Sequence, residues 1–143
     1  MTPNKEDYLK CIYEIGTEEG KITNKEIANR MEVSPPAVTE MIKKLISEDL
    51  IVKDKAKGYL LTETGTINVA ELYRKHRLIE AFLVDHLQYT CDQIHQEAEI
   101  LEHTVSDHFI DALERLLNYP QTCPHGGQIP KSGQLIEEFY NQT

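Results

Sequence analysis

Positive charge is nearly missing from one end of this sequence. Residues 78–143 hold two Lys/Arg, Arg115 and Lys131, against eleven Asp/Glu, a balance of −9. Residues 21–62 hold eight Lys/Arg against six Asp/Glu, a balance of +2. A formal net charge of −9 spread evenly would argue against nucleic acid as a partner, but this chain is polarised and leaves room for two functions. Long apolar runs are absent too: none approaches the about eighteen residues of a membrane span, and no signal-peptide pattern opens the chain. A cytoplasmic protein without a membrane partner is expected. Cysteine is scarce, and Cys11, Cys91 and Cys123 are too few and too widely spaced for a secreted disulfide framework, which leaves free thiols or metal ligands. There is no internal repeat and no low-complexity tract. With 40% hydrophobic and 27% charged residues, disordered and fibrous classes drop out. The 143 residues suffice for one good-sized domain or two small ones.

What is present reads as helix, short helix, capped helix and hairpin, followed by more helix. "TPNKEDYLKCIYEIGTE" has Pro3 suited to a helix start, Asp7 in its first turns, and Leu9, Ile12, Tyr13 and Ile15 at helical spacing. "TNKEIANRM" offers Thr23 and Asn24 as caps and Ile27, Ala28 and Met31 on one side. Ser34 is a natural N-cap, and the two prolines behind it fit only a first helical turn, so a helix follows with Val38, Met41, Ile42 and Leu45 inward. "LIVKDKAKGYLLT" has two short apolar runs joined by a lysine-rich turn closed by Gly58, the pattern of a β-hairpin. Helices are then expected over roughly 64–88, 91–106 and 107–118, an irregular segment over 119–134, and a last amphipathic turn at "LIEEFY".

The order of the first four elements is that of a winged helix-turn-helix. Small Ala28 stands where two helices must approach closely, with Val38 and Met41 following on the inner face of the second helix. The exposed start of that helix, Ser34, Pro36, Ala37, Thr39 and Glu40, is mostly small, so its backbone can come close to major-groove base edges and phosphates. Lys43 and Lys44, then Lys53, Lys55 and Lys57 in the hairpin, can reach the phosphate backbone. Each lysine alone would pass for a solvated face; the ordered combination points to DNA.

A second constellation lies in the acidic part. His95, Glu99, Glu102 and His103 form one stripe of the helix expected over 91–106, and His76 with Glu80 makes an i, i+4 pair on the helix before it. Such residues are commonly exposed salt bridges. Residues 95–103, however, contain no lysine or arginine, and Glu97, Glu99 and Glu102 would repel one another without a cation, a difficulty that a divalent metal removes. "CPHG" adds Cys123 and His125 on a loop shaped by Pro and Gly. Cys11, Cys91, His86 and His108 lack such company and read as core or surface residues.

The motifs "EIANRMEVSPPAVTEMIKKL", "GYLLTETG", "LYRKHRLIEAFL", "HQEAEILEHTVSD" and "CPHGGQIP", covering about residues 4–131 in family order, resemble the diphtheria-toxin-repressor family of metal-dependent bacterial repressors, and within it the manganese-responsive streptococcal type. The resemblance implies a homodimer of mainly α subunits, each with a winged helix at 1–62 and a helical dimerisation and metal-binding domain over 63–143. It implies a primary, activating metal site of Asp7, Glu99, Glu102, His103, Cys123 and His125, and a secondary site of His76, Glu80 and His95. Ser34, Pro36, Ala37, Thr39 and Glu40 match its groove-facing positions. Iron-responsive relatives have Met and Cys where this sequence has Asp7 and Glu99, so the site is harder and favours Mn²⁺, with Fe²⁺, Zn²⁺ or Cd²⁺ able to occupy the same ligands. Longer relatives continue into a small β-barrel domain that can lend a ligand to the secondary site, whereas this sequence stops at Thr143. The expected function is a Mn²⁺-dependent repressor of metal-ion uptake genes, with operator DNA as partner and no small organic substrate. A hydrolytic metalloenzyme is the rival from another class; a DNA-binding module whose acidic helices only dimerise is a third reading.

Overall fold

The computed structural model describes residues 4–132. Pro3, expected to open the first helix, and the turn expected at "LIEEFY" lie outside the described residues. In chain order the elements are α1 (Lys5–Glu19), α2 (Asn24–Met31), α3 (Pro35–Ser47), β1 (Ile51–Asp54), β2 (Gly58–Leu61), α4 (Glu63–Leu87), α5 (Cys91–Leu101) and α6 (Asp107–Leu116). They form two compact units, Met1–Val69 and Ala70–Thr143, which divide inside α4.

The first unit owes its helix starts to side-chain caps. Asn4 accepts from the Asp7 amide while Asp7 Oδ2 accepts from the Asn4 amide, each at 3.1 Å, so two orphan donors at the head of α1 are satisfied reciprocally. Thr23 accepts from the Glu26 amide at 3.1 Å, and Ser34 from the Ala37 amide at 3.3 Å. Pro35 and Pro36 occupy the first turn of α3, where a missing N–H costs nothing. The buried faces meet in one core: Leu9, Ile12 and Ile15 of α1, Ile27 of α2, Val38, Ile42 and Leu45 of α3, and Ile51 of β1. Met41, expected inward, is half-buried.

β1 and β2 pair antiparallel, from Ile51 opposite Leu61 to Asp54 opposite Gly58. Asp54 shapes the turn, its Oδ2 accepting from the Ala56 and Lys57 amides at 3.0 and 2.7 Å. Gly58 has φ +85°, and a Cβ there would lie 2.0 Å from the Ile22 carbonyl oxygen, so a larger residue cannot enter unless that backbone shifts. The Ile22 amide donates to the Lys57 carbonyl at 2.8 Å, and the Tyr59 hydroxyl to Asn24 Oδ1 at 2.6 Å. The hairpin is thus fastened to the head of α2, and Asn24, a candidate cap from sequence, serves this cross-link instead.

The second unit gathers α4 from Ala70 onward, α5, α6 and the segment that follows around Leu78, Ile79, Leu83, Ile94, Ala98, Ile110, Leu113 and Ile129. Arg74 of α4 is 1% exposed and is met by Glu71, Asp111 and Glu114 at 2.8, 2.8 and 3.1 Å. α5 ends at Leu101, earlier than the expected 106. The Glu102 amide still reaches the Ala98 carbonyl at 2.9 Å, but the Thr104 amide and hydroxyl both turn back to the Leu101 carbonyl at 3.0 Å. Ser106 then caps α6, accepting from the Phe109 amide at 3.0 Å. Local hydroxyl bonding outcompetes continued helix over these residues. Glu102 therefore closes α5, and His103 stands in the turn beyond it.

Candidate metal centre and nucleic-acid face

His76 and Glu80, one helical turn apart on α4, are both buried, with His76 Nε2 3.2 Å from Glu80 Oε2. The other edge of the His76 ring faces α5, where Nδ1 lies 3.4 Å from Glu102 Oε2, and Glu102 Oε1 lies 3.8 Å from His103 Nε2. His95 of α5 meets the His76 ring edge-on at 4.9 Å between centroids and brings Nδ1 to 3.8 Å from Glu80 Oε2 and Nε2 to 3.0 Å from Glu99. His125 approaches from the loop, Nδ1 3.5 Å from Glu80 Oε2.

Among the described residues, two donor sets have ligand atoms within 4.8 Å of one another: His76, Glu80 and His95, and Glu80, Cys123 and His125. Glu80 belongs to both. The partners of Glu80 and Glu102 are imidazoles, and Oε2 of each carboxylate is buried without accepting a hydrogen bond. Two buried carboxylate oxygens short of donors, beside imidazoles and a buried thiol, are a donor set that a divalent cation satisfies. Burial pushes the Glu80 carboxyl up, but the adjacent His76, then His125 and His95, outweigh it and hold Glu80 below its usual range, as an anion ready to act as a ligand.

The family resemblance groups Cys123 and His125 with Glu99, Glu102 and His103; in the structure both stand beside Glu80. Ile129 buries itself in the core of the second unit, and the Cys123 amide donates to the Gly127 carbonyl at 2.8 Å, which turns the loop back on itself. Arg77 of α4 donates to the Gln128 carbonyl and lays the loop on the helix that carries Glu80. Spacing brings out the candidate donor types, but the face on which a loop lands depends on such anchors. Glu99 and His95 are exposed at the rim, while Glu102 and His103 continue the same polar seam through His76. Asp7 lies in the first unit, in the capping box of α1.

The groove-facing candidates Ser34, Pro36, Thr39 and Glu40 are exposed along the start of α3 and Ala37 is half-buried; Lys43, Lys53, Lys55 and Lys57 are exposed. Cys11 is buried in α1, and burial pushes its thiol up to about 11. Cys91 and His108 are exposed, and His86 stacks on Phe82 at 5.4 Å, so these residues stand apart from the seam. Sequence reasoning passes over Arg74 and Arg77; a charged residue inside a helical pattern carries no sign of whether its guanidinium will be covered. No helix of the described residues is long and apolar enough to cross a membrane.

The family model "Iron dependent repressor, N-terminal DNA binding domain" matches residues 1–59, and "Iron dependent repressor, metal binding and dimerisation domain" matches 62–131. The HTH-type transcriptional regulator MntR of Bacillus subtilis (strain 168) is 32% identical, over 99% of both chains. The structure of ScaR with bound Zn²⁺ is 68% identical with a TM-score of 0.88, over 93% of this chain and 62% of that one. The manganese regulator SloR is 64% identical with a TM-score of 0.83, over 94% of this chain and 63% of that one. This chain thus spans less than two thirds of those two solved chains and nearly all of the Bacillus protein. The relatives are transcriptional regulators, and the metalloenzyme alternative finds no support among them. With both of its units matched, this chain belongs to the iron-dependent repressor family of metal-dependent, DNA-binding transcriptional regulators.

Proposed function

We propose that the chain is a Mn²⁺-responsive repressor of metal-ion uptake genes, acting in the cytoplasm as a homodimer on double-stranded operator DNA. The observation that carries the metal reading is the pair of buried carboxylates, Glu80 and Glu102, facing imidazoles, with the Cys123 thiol beside Glu80. The names of two similar proteins, the manganese regulator SloR and the manganese-activated repressor ScaR, support the choice of metal. A bound divalent cation supplies the positive charge that these carboxylates lack. His76, Glu80 and His95 would hold it at one position and Glu80, Cys123 and His125 at another; Glu99, Glu102 and His103, with Asp7 carried over from the family resemblance, are proposed as the activating ligands. Oxygen-rich donors suit Mn²⁺, while Cys123 and the imidazoles also accept Zn²⁺, Cd²⁺ or Fe²⁺. We assign DNA binding to residues 1–62 and metal binding with dimerisation to the rest.

The test is binding of the purified chain to promoter fragments of metal-uptake genes, followed by fluorescence anisotropy with Mn²⁺ and then with excess chelator. Tight binding that chelator reverses is expected. Binding indifferent to chelator would leave a DNA-binding module without a metal switch, and no binding in either state would remove the proposal.

The exposed wing lysines give a finer prediction. Lys55→Ala and Lys57→Ala should each flatten the plot of log affinity against log salt by about 0.9 for every phosphate that the lysine had neutralised, with sequence preference unchanged. An unaltered slope would take the wing out of the interface.

A further inference from the structure

We propose that Arg77 is a positioning residue for the metal centre: it holds the Cys123–His125 loop against α4 and so determines whether the Cys123 thiol reaches a cation at Glu80. The inference rests on the metal reading above and goes beyond it by naming what makes that donor set possible.

Cys123 and His125 lie on a loop without helix or strand of its own, and a donor set needs its members held to within a fraction of an ångström. The loop's own bonds give it shape but not place. The Cys123 amide donates to the Gly127 carbonyl at 2.8 Å, the Gly126 amide to the Cys123 carbonyl at 2.9 Å, and Thr122 pairs with Gln128 in an isolated antiparallel bridge. Among the described residues, two anchors fix this small hairpin to the second unit. One is Ile129, buried in the core. The other is Arg77, three residues before Glu80 on α4, whose Nη1 donates to the Gln128 carbonyl. Its grip falls on Gly127 and Gln128, the strand across from Cys123, so movement of that strand moves the thiol with it.

The fit requires arginine. The guanidinium lies over the Tyr73 ring, Cζ 4.7 Å from the centroid, while Gly127 approaches so closely that a Cβ there would stand 3.1 Å from Nε and 3.2 Å from Cζ. A flat cation fills the slot between ring and backbone and still donates at its edge; an ammonium on a flexible stem cannot do both. The two glycines serve different ends. Gly126 takes a φ of +85° in the turn, and Gly127 makes room for Arg77.

Cd²⁺ or Co²⁺ added to the purified full chain gives a sulfur-to-metal charge-transfer band when a thiolate binds, and Cys123→Ser establishes that the band comes from Cys123. The parent should show the band. Arg77→Ala should weaken the affinity read from the band by roughly 10- to 100-fold, the range for residues that orient ligands, while binding that does not involve sulfur persists by calorimetry. Arg77→Lys should recover only a small part of the loss. Gly127→Ala, which crowds the guanidinium from the other side and leaves α4 untouched, should reproduce the defect and decides the matter if Arg77→Ala does not fold. A parent without the band overturns the assignment of Cys123 as a ligand. A band in the parent that keeps its affinity in Arg77→Ala, or in Gly127→Ala if the first does not fold, overturns the role of Arg77 alone.

Discussion

Glu80→Gln is expected to cost more Mn²⁺ affinity than any other single substitution within the two donor sets. Glu80 is the one residue shared by the two donor sets, its Oε2 within 3.2 to 3.8 Å of His76, His125 and His95. The amide keeps the shape and removes the charge, so three imidazoles then face each other across a buried neutral group. A residue that merely orients ligands costs roughly 10- to 100-fold, so removal of a shared anionic ligand should weaken total Mn²⁺ affinity by roughly 100-fold or more. The Mn²⁺-dependent gain in DNA affinity should fall with it. Glu99, exposed at the rim, gives the contrast: Glu99→Gln should spare the Glu80, Cys123 and His125 set. Calorimetric Mn²⁺ titration and DNA anisotropy on both variants measure this, with chelated melting temperatures showing that the fold survives. Parental Mn²⁺ affinity in Glu80→Gln would dissolve the idea of a shared carboxylate.

The second large effect concerns stability. Arg74→Met should destabilise the second unit by about 3–5 kcal/mol, because it removes the cation from a buried ion-pair cluster and leaves the carboxylates behind. The contributions are unequal. Asp111 is exposed, and such a pair is worth at most about 1 kcal/mol. Glu114 and Glu71 are more covered, with side chains 14% and 25% exposed, and would be left facing each other across an apolar thioether. Arg74 Nε is buried without an acceptor, and relief of that group returns part of the loss, which favours the lower end of the range. At about 2–4 °C per kcal/mol for chains near this length, melting of the chelated protein should fall by on the order of 10 °C. Combining Arg74→Met with Glu114→Gln should recover part of it. A loss under about 1 kcal/mol would mean that the cluster is no more than a surface pair.

Arg74 and Arg77 mark where reading from sequence stops. The first unit is legible because its signals are local: Ser34 followed by two prolines can only open a helix, and a lysine-rich turn closed by Gly58 can only be a hairpin. The end of α5 is not, since Glu102 keeps helical spacing while Thr104 and Ser106, hydroxyls that bond backward and forward, decide the boundary. The candidate donors of the seam are visible in the absence of lysine and arginine over 95–103. Their grouping is not: the loop's place depends on Ile129 and on Arg77, which reaches across about fifty residues of chain, and no local pattern records either anchor. Arg74 and Arg77 look like ordinary charges on a helix, and only the packed structure covers them.

The burial of the cysteines makes the chain its own set of reporters. Cys91 is exposed at the start of α5 and should react with a thiol reagent at once. Cys11, buried in α1 with its thiol pushed up to about 11, reacts only when the first unit opens. Cys123 is buried in the second unit and reacts only when its loop lifts or that unit opens. Alkylation followed by peptide mass therefore clocks the opening of each unit in the unmodified protein, and protection of Cys123 by Mn²⁺ would register as a slowing of one clock while that of Cys91 keeps time.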